Sequence, residues 1–292
     1  MRRTLWLIAA VLLASHGLAE DRPHLLVTND DGILAPGIVA LVAALQEEYR
    51  ITVCAPFGEQ SGVGHGITYR EPVLVEEMDQ PGPGVNFAVH AQPATTVRIG
   101  AGTLLLEDPP DLVVSGINHG DNSGRSVWIS GTLAGAREAA LAGFPAVAFS
   151  AARPPEGGDP DFAAGAAWAL EVLRVLRKAG LPSPGTVVKV ELPYPAAVAR
   201  GIRVTAQGLA VPAVEHYEEQ VDPDGRRWFV SRWAPPAAGE PGTDIAGVLA
   251  GYVTVTPLSL DQTDYRAIPE LAALPWPTPP PLPEPVPPIT AP

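Results

Sequence analysis

Cysteine occurs once in the 292 residues, so the chain can form no internal disulfide and must draw its stability from core burial or association. That residue, Cys54, lies in the apolar run Ile51-Thr52-Val53-Cys54-Ala55, where a buried core thiol is expected, not a nucleophile. Basic residues are scarce too. There are 19 Lys and Arg against 32 Asp and Glu, a formal charge of −13. Such a surface argues against a broad electrostatic grip on duplex nucleic acid or anionic lipid. Small anionic substrates stay open, because a metal ion or a helix N-terminus supplies local positive potential. No stretch reaches the roughly 20 apolar residues that a membrane-spanning helix needs. Histidines at zinc-ligand spacing are missing as well: neither His65 nor His119 has a partner at the right interval. No Gly-X-Ser-X-Gly elbow occurs at a strand-to-helix turn, which disfavours a secreted esterase.

What is present begins with a leader. Arg2-Arg3, an apolar run over residues 5–14 and Gly17-Leu18-Ala19 before Glu20-Asp21 read as a secretory signal peptide cleaved after Ala19. Loss of residues 1–19 removes two arginines and no acids, taking the formal charge from −13 to −15. The expectation is an exported, periplasmic protein with no membrane attachment in its mature form. At the other end, ten of the last 18 residues are proline, so 275–292 should be extended or disordered.

Between these ends the pattern alternates strand and helix. Strands are expected at 25–29, 51–55, 85–91, 111–118, 146–150 and 186–192. Helices are expected at 37–48, 94–106, 132–142 and 162–179, the first with Ile38, Leu41, Val42 and Leu45 on one face. Short continuous apolar strands separated by helices imply a mostly parallel sheet covered on both faces, a doubly wound α/β domain over about 22–195. From Gly201 onward, 202–206 and 227–233 look like antiparallel elements of a hairpin or arm, with a turn at Asp222-Pro223-Asp224-Gly225. A helix at 243–250 and a strand at 252–256 that could rejoin the sheet follow.

Chemistry is concentrated in the loops after three strands. The first reads Asn29-Asp30-Asp31-Gly32, the second runs from Pro56 through Ser61-Gly62 to Gly66, and the third is Asn118-His119-Gly120-Asp121-Asn122-Ser123-Gly124. In a parallel sheet such loops emerge on one edge, where ligands bind in open α/β folds. Two adjacent carboxylates there repel each other unless a proton or cation sits between them. Carboxylates, a Ser hydroxyl and an Asn carbonyl are hard oxygen donors suited to Mg²⁺, Mn²⁺ or Ca²⁺. The alternative is that one Asp merely caps the following helix. A fourth piece, Ser130-Gly131-Thr132, precedes a helix and suits either a phosphate or a plain N-cap.

These pieces also match a family. Asn29-Asp30-Asp31-Gly32 with Ala35-Pro36-Gly37, Ala55-Pro56 with Ser61-Gly62, the string DLVVSGIN at 111–118, Ser130-Gly131-Thr132, and GYVTVTPL at 251–258 resemble the SurE family of survival-protein nucleotidases, in family order over about 24–265. The resemblance implies a Rossmann-like three-layer α/β/α domain over 22–265, with a C-terminal β-arm at about 201–240. It implies a phosphatase acting on nucleoside 5′- and 3′-monophosphates with one divalent ion, Mg²⁺ or Mn²⁺, per subunit. The metal ligands would be Asp30, Asp31, Ser61 and Asn118, flanked by Asn29 and Gly62. Ser130, Gly131 and Thr132 would hold the substrate phosphate, and Asp244 matches an acidic position in the family's Thr-Asp segment. Three places depart from the usual pattern: the segment Gly58-Glu59-Gln60 before Ser61, His119, and Ile129 where a tyrosine commonly precedes Ser-Gly-Thr. They bear on substrate preference more than on metal binding.

The expected reaction is attack of a metal-activated water on phosphorus, with Asp30 as ligand and water-orienting group. A covalent aspartyl-phosphate is disfavoured, because the two acids are adjacent and not in an Asp-X-Asp arrangement. The competing function is a non-catalytic exported protein that binds a nucleotide through the same metal and loops. The arm, with Trp228, Phe229 and Trp233, should pack on another subunit of a homodimer or homotetramer.

Overall fold

In the computed structural model the described residues are 22–180, 182–209, 216–232 and 238–277. The expected leader at 1–19, Trp233 and residues 278–292 of the proline-rich tail lie outside them. The strands are β1 (His24–Thr28), β2 (Arg50–Pro56), β3 (Val75–Met78), β4 (Asn86–Val89), β5 (Leu112–His119), β6 (Ala146–Ala151), β7 (Val187–Leu192), β8 (Ile202–Val204), β9 (His216–Val221), β10 (Arg227–Arg232) and β11 (Val253–Leu258). The α-helices are α1 (Pro36–Leu45), α2 (Pro93–Ile99), α3 (Gly131–Leu141), α4 (Phe162–Lys178), α5 (Asp244–Leu249) and α6 (Ala267–Ala272).

Nine strands form one sheet in the order β3-β4-β2-β1-β5-β6-β7-β11-β8. The run from β4 to β7 is parallel throughout. At the two ends, β3 runs antiparallel to β4, and β11 antiparallel to β7. Both faces are covered, so the parallel strands carry apolar side chains on each side. On one face α1 and α4 pack over Leu25, Val27, Val114, Val147 and Val190. On the other, α2 and α3 cover Leu26, Cys54, Val113 and Ala148. Cys54 is fully buried, and burial pushes its thiol up to about 12, as a core thiol requires.

Helix ends follow local chemistry. Helix α1 starts with Pro36 in its first turn, where a missing N–H costs nothing. The next residue must be glycine, because a Cβ on Gly37 would lie 1.9 Å from the Ile117 carbonyl oxygen. That contact brings α1 down onto β5. The Ser130 side chain caps α3 by accepting from the Leu133 N–H at 3.0 Å, and Asp161 Oδ1 caps α4 by accepting from the Ala164 N–H at 3.3 Å.

Two elements differ from the sequence-based expectation. The helix expected over 94–106 is α-helical only to Ile99, and Gly100–Leu104 is a π-turn. Gly100 sits where a Cβ would meet the Cys54 side chain at 3.0 Å, so the widened turn lies tight on the core. The segment 202–206 is not half of the arm's hairpin. Its β8 pairs parallel with β11 at the sheet edge, and the hairpin joins β9 to β10. The strand β9 reads HYEEQV and is exposed along its whole length, so it carries no burial alternation to reveal it. Its turn is the expected Asp222-Pro223-Asp224-Gly225, with Gly225 at φ +78°. Strand β11 does rejoin the sheet, antiparallel to β7.

By contacts the chain divides into Met1–Leu260 and a small unit, Asp261–Pro292. In the second, Asp261 and Tyr265 are hydrogen bonded ahead of α6. No helix among the described residues is long and apolar enough to cross a membrane.

Candidate active site

The sheet order reverses beside β1. The chain leaves β1 toward β2 on one side and later returns to place β5 on the other. At such a switch point the loops part and leave a crevice at the carboxyl edge. Asp30 and Asp31 follow β1 directly, and Asn118 lies at the end of β5.

Backbone hydrogen bonds sew the loops together. The Gln60 N–H donates to the Asp30 carbonyl at 2.7 Å, which ties the Ser61 loop to the first acid. The Ile33 N–H donates to Pro56 O at 2.8 Å, and the Gly64 N–H to Ile129 O at 3.0 Å, just before Ser130. The His119 N–H donates to Asp31 Oδ2 at 3.0 Å. Gly32, at φ +107°, lets the first turn approach Gly58 to within 3.3 Å of where a Cβ would be. Four segments far apart in sequence are thereby held at one rim.

Asp30 is 3% exposed. Burial is the main cause that pushes its carboxyl up to about 7, and the charge of Asp31 adds to the shift. The hydrogen bond from Thr132 works against both, with the hydroxyl donating to Asp30 Oδ1 at 2.6 Å. Asp31 is half-buried and also raised, chiefly by burial, with His119 opposing. The Asn118 Nδ2 donates to the Gly120 carbonyl at 2.8 Å, which fixes the amide and leaves Oδ1 without a partner among the described residues. Asn29 Nδ2 closes the turn on the Gly32 carbonyl at 2.7 Å, while its buried Oδ1 accepts nothing among the described residues. Ser61 and Gly62 are exposed, and the Ser61 hydroxyl donates to Glu59 Oε1 at 3.0 Å.

At the start of α3, a Cβ on Gly131 would fall 2.7 Å from Asp30 Oδ2. Glycine there lets the helix N-terminus come down onto the carboxylate. Ser130 is the N-cap, and because its oxygen accepts from Leu133 its own proton remains to be donated. The Thr132 hydroxyl proton is already committed to Asp30.

Asp244 lies under the rim with its oxygens taken. Oδ2 accepts from Lys189 Nζ at 2.6 Å and from the Gly124 N–H at 2.8 Å. Oδ1 accepts from the Gly208 and Ile245 N–H groups, each at 2.8 Å. Burial opposes its ionisation, but Lys189 outweighs it and holds the carboxyl below its ordinary value. A residue so engaged has no lone pair to offer a ligand.

Beside Asp31 a cleft of about 300 Å³ opens between Pro36, Glu59, His119, Asp159 and Phe162. The His119 and Phe162 rings lie 6.0 Å apart, and His119 Nε2 is 3.1 Å from Asp159 Oδ1. This wall escaped the sequence reading. Phe162 and Asp159 belong to a distant segment, and His119 was marked as part of the third loop and as a departure, not as a wall. Asn122 was missed too, although its loop was marked. Its amide bridges Thr132 and Ser150.

The family described as "Survival protein SurE" matches residues 25–213. The chain belongs to the SurE family. A protein called 5′-nucleotidase SurE from Syntrophobacter fumaroxidans is 40% identical over 251 residues, covering 84% of this chain and 96% of its own. 5′-nucleotidase SurE 1 of Thermus thermophilus is 40% identical over 257 residues, 86% of this chain and 97% of its own. The crystal structure of the SurE protein from Aquifex aeolicus superposes with a TM-score of 0.72 at 36% identity, covering 85% of this chain and 98% of that one.

Proposed function

We propose that this SurE-family chain is a metal-dependent 5′-nucleotidase, a phosphomonoester hydrolase that also accepts nucleoside 3′-monophosphates. The observation that carries the reading is Asp30, a buried carboxylate beside a second one at the switch point, with no cationic side chain bonded to either oxygen among the described residues. A buried charge is costly unless paired, so the pair asks for a cation. The residues fit a hard divalent ion such as Mg²⁺ or Mn²⁺: two carboxylates, the free Oδ1 of Asn118 and the Ser61 hydroxyl. All of these donors are oxygens, a set that suits such an ion better than zinc, which favours Cys and His.

When bound, such an ion neutralises phosphoryl oxygens and lowers the pKa of an attached water. The chain does the rest. The α3 N-terminus offers the dipole and N–H of Gly131, and Ser130 offers its hydroxyl proton, to the charge that develops on the phosphoryl group. Thr132 holds Asp30 Oδ1, which leaves Oδ2, facing Gly131, to orient the attacking water. The cleft beside Asp31 gives the nucleoside a wall of His119 and Phe162, and its acidic rim favours hydroxyl and amine donors over further phosphates.

Phosphate release from nucleoside monophosphates with Mg²⁺ or Mn²⁺, abolished by EDTA, is the expected result. Nucleotide binding without turnover would point to the non-catalytic exported binding protein instead. A phosphorylated Asp30 trapped during turnover would replace water attack with a covalent route. With the leader at 1–19, the reading extends to a periplasmic enzyme that recovers phosphate. The exposed Trp228 and Phe229 of the β9–β10 hairpin support association into a homodimer or homotetramer through the arm.

A further inference from the structure

Lys189 lies in the middle of β7 and is fully buried, as are Glu191 and Asp244 beside it. An ammonium in the core is tolerated only when paired and hydrogen bonded. Its Nζ lies 2.6 Å from Asp244 Oδ2 and 3.1 Å from Glu191 Oε1. Each acid then grips the loop after β5: Glu191 Oε2 accepts from the Asn122 N–H at 2.9 Å, and Asp244 Oδ2 from the Gly124 N–H at 2.8 Å. Lys189 also reaches the Asn122 carbonyl at 3.5 Å. The backbone of Asn122 is thus clamped at both its N–H and its C=O.

The clamped side chain has a definite task. Its Nδ2 donates to Ser150 Oγ at 2.8 Å and to Thr132 Oγ1 at 3.3 Å. A threonine hydroxyl has one proton and two lone pairs. With Asn122 donating into one lone pair, the single proton of Thr132 is left to point at Asp30 Oδ1, 2.6 Å away. An acceptor in place of Nδ2 would compete for that proton and release Asp30. Nothing else bonded to the Thr132 hydroxyl among the described residues sets its direction.

Resting on the metal-dependent reading above, we infer that Asn122 is a positioning residue for Asp30, acting through Thr132, and that the buried Lys189, Glu191 and Asp244 group is the clamp that holds Asn122 in place. Neighbours that orient a ligand are worth roughly 10–100-fold in metal affinity or activity.

The test is a double-mutant cycle on the full chain, with Mn²⁺ affinity measured by calorimetry. Asn122→Ala and Thr132→Val should each weaken Mn²⁺ binding by about 10–100-fold. The double variant should bind no more weakly than the poorer single one, because both break the same chain. Glu191→Gln keeps an acceptor for the Asn122 N–H and should bind within about threefold of the parent, whereas Glu191→Ala should match Asn122→Ala. A folded Asn122→Ala protein with parental affinity would overturn the inference, as would single losses that multiply in the double variant. If Glu191→Ala fails to fold, the Asn122 and Thr132 cycle decides alone, since neither change removes a buried charge. A parent that binds no Mn²⁺ at all would sink the metal reading and this inference with it.

Discussion

Replacing Asp30 by asparagine should abolish activity and yet stabilise the metal-free protein. Asp30 titrates near 7 in the folded chain against 3.8 for a free carboxyl, with burial as the first cause. An acid whose pKa is higher folded than unfolded holds its proton more readily in the folded state. Its penalty is therefore absent below the unfolded value, grows as pH rises through the window between the two, and is complete above the folded value. At 1.36 kcal/mol per unit the gap corresponds to an upper limit of about 4 kcal/mol at pH 8. Asparagine keeps the shape and an acceptor for the Thr132 hydroxyl while removing the charge. The variant should melt higher than the parent in EDTA at pH 8, by an amount on the order of 5 °C for a domain of this size. At pH 5, only about 1.2 units above the free value of 3.8, the penalty falls to about 1.6 kcal/mol and the difference in melting temperature should shrink to less than half. Saturating Mn²⁺ at pH 8 should raise the parent and not the variant, since a bound ion relieves the same charge. Scanning calorimetry at the two pH values, with and without metal, reads all of this. Equal effects at pH 5 and pH 8, or a lower melting temperature at pH 8 in EDTA, would refute the reasoning.

Asp31→Asn should remove most phosphate release at moderate metal while circular dichroism stays unchanged; full turnover would argue against ligation there. Gly37→Ala forces a methyl against the Ile117 carbonyl and should cost about 1–3 kcal/mol by overpacking, read as a lower denaturant midpoint. Trp228→Ser together with Phe229→Ser should lower the mass seen in light scattering without lowering the melting temperature of the individual subunit; an unchanged mass would place the arm outside any subunit contact. Cell fractionation should find the mature protein in the periplasm, and cytoplasmic recovery would contradict export.

The parts of this fold that could be read ahead were those in which burial leaves a mark. Strands β1, β2, β5, β6 and β7 are covered on both faces, so each appears as an apolar run. Strand β9 reads HYEEQV and is exposed throughout, and β3 reads VEEM with only its end residues Val75 and Met78 half-buried, so neither pattern is distinguished from loop. The same logic governs the site. Adjacent acids after β1 and Asn118 at the end of β5 were visible because the carboxyl ends of neighbouring parallel strands and their loops meet at one edge. The roles of Thr132 and Asn122 were not, since a hydroxyl before a helix serves equally as cap, phosphate donor or anchor until its partner is known. Asp244 was marked by the family motif. Its partner Lys189, set with Glu191 in the buried strand VVKVEL, is the signal that could have shown it facing a buried cation and not a ligand.

Anomalous diffraction at the manganese edge, from a crystal grown in Mn²⁺, tests the central claim most directly. The account predicts one peak bounded by the carboxylates of Asp30 and Asp31 and by Asn118 Oδ1. Density showing those three groups with no ion among them, or a manganese peak bound elsewhere on the chain, would contradict it.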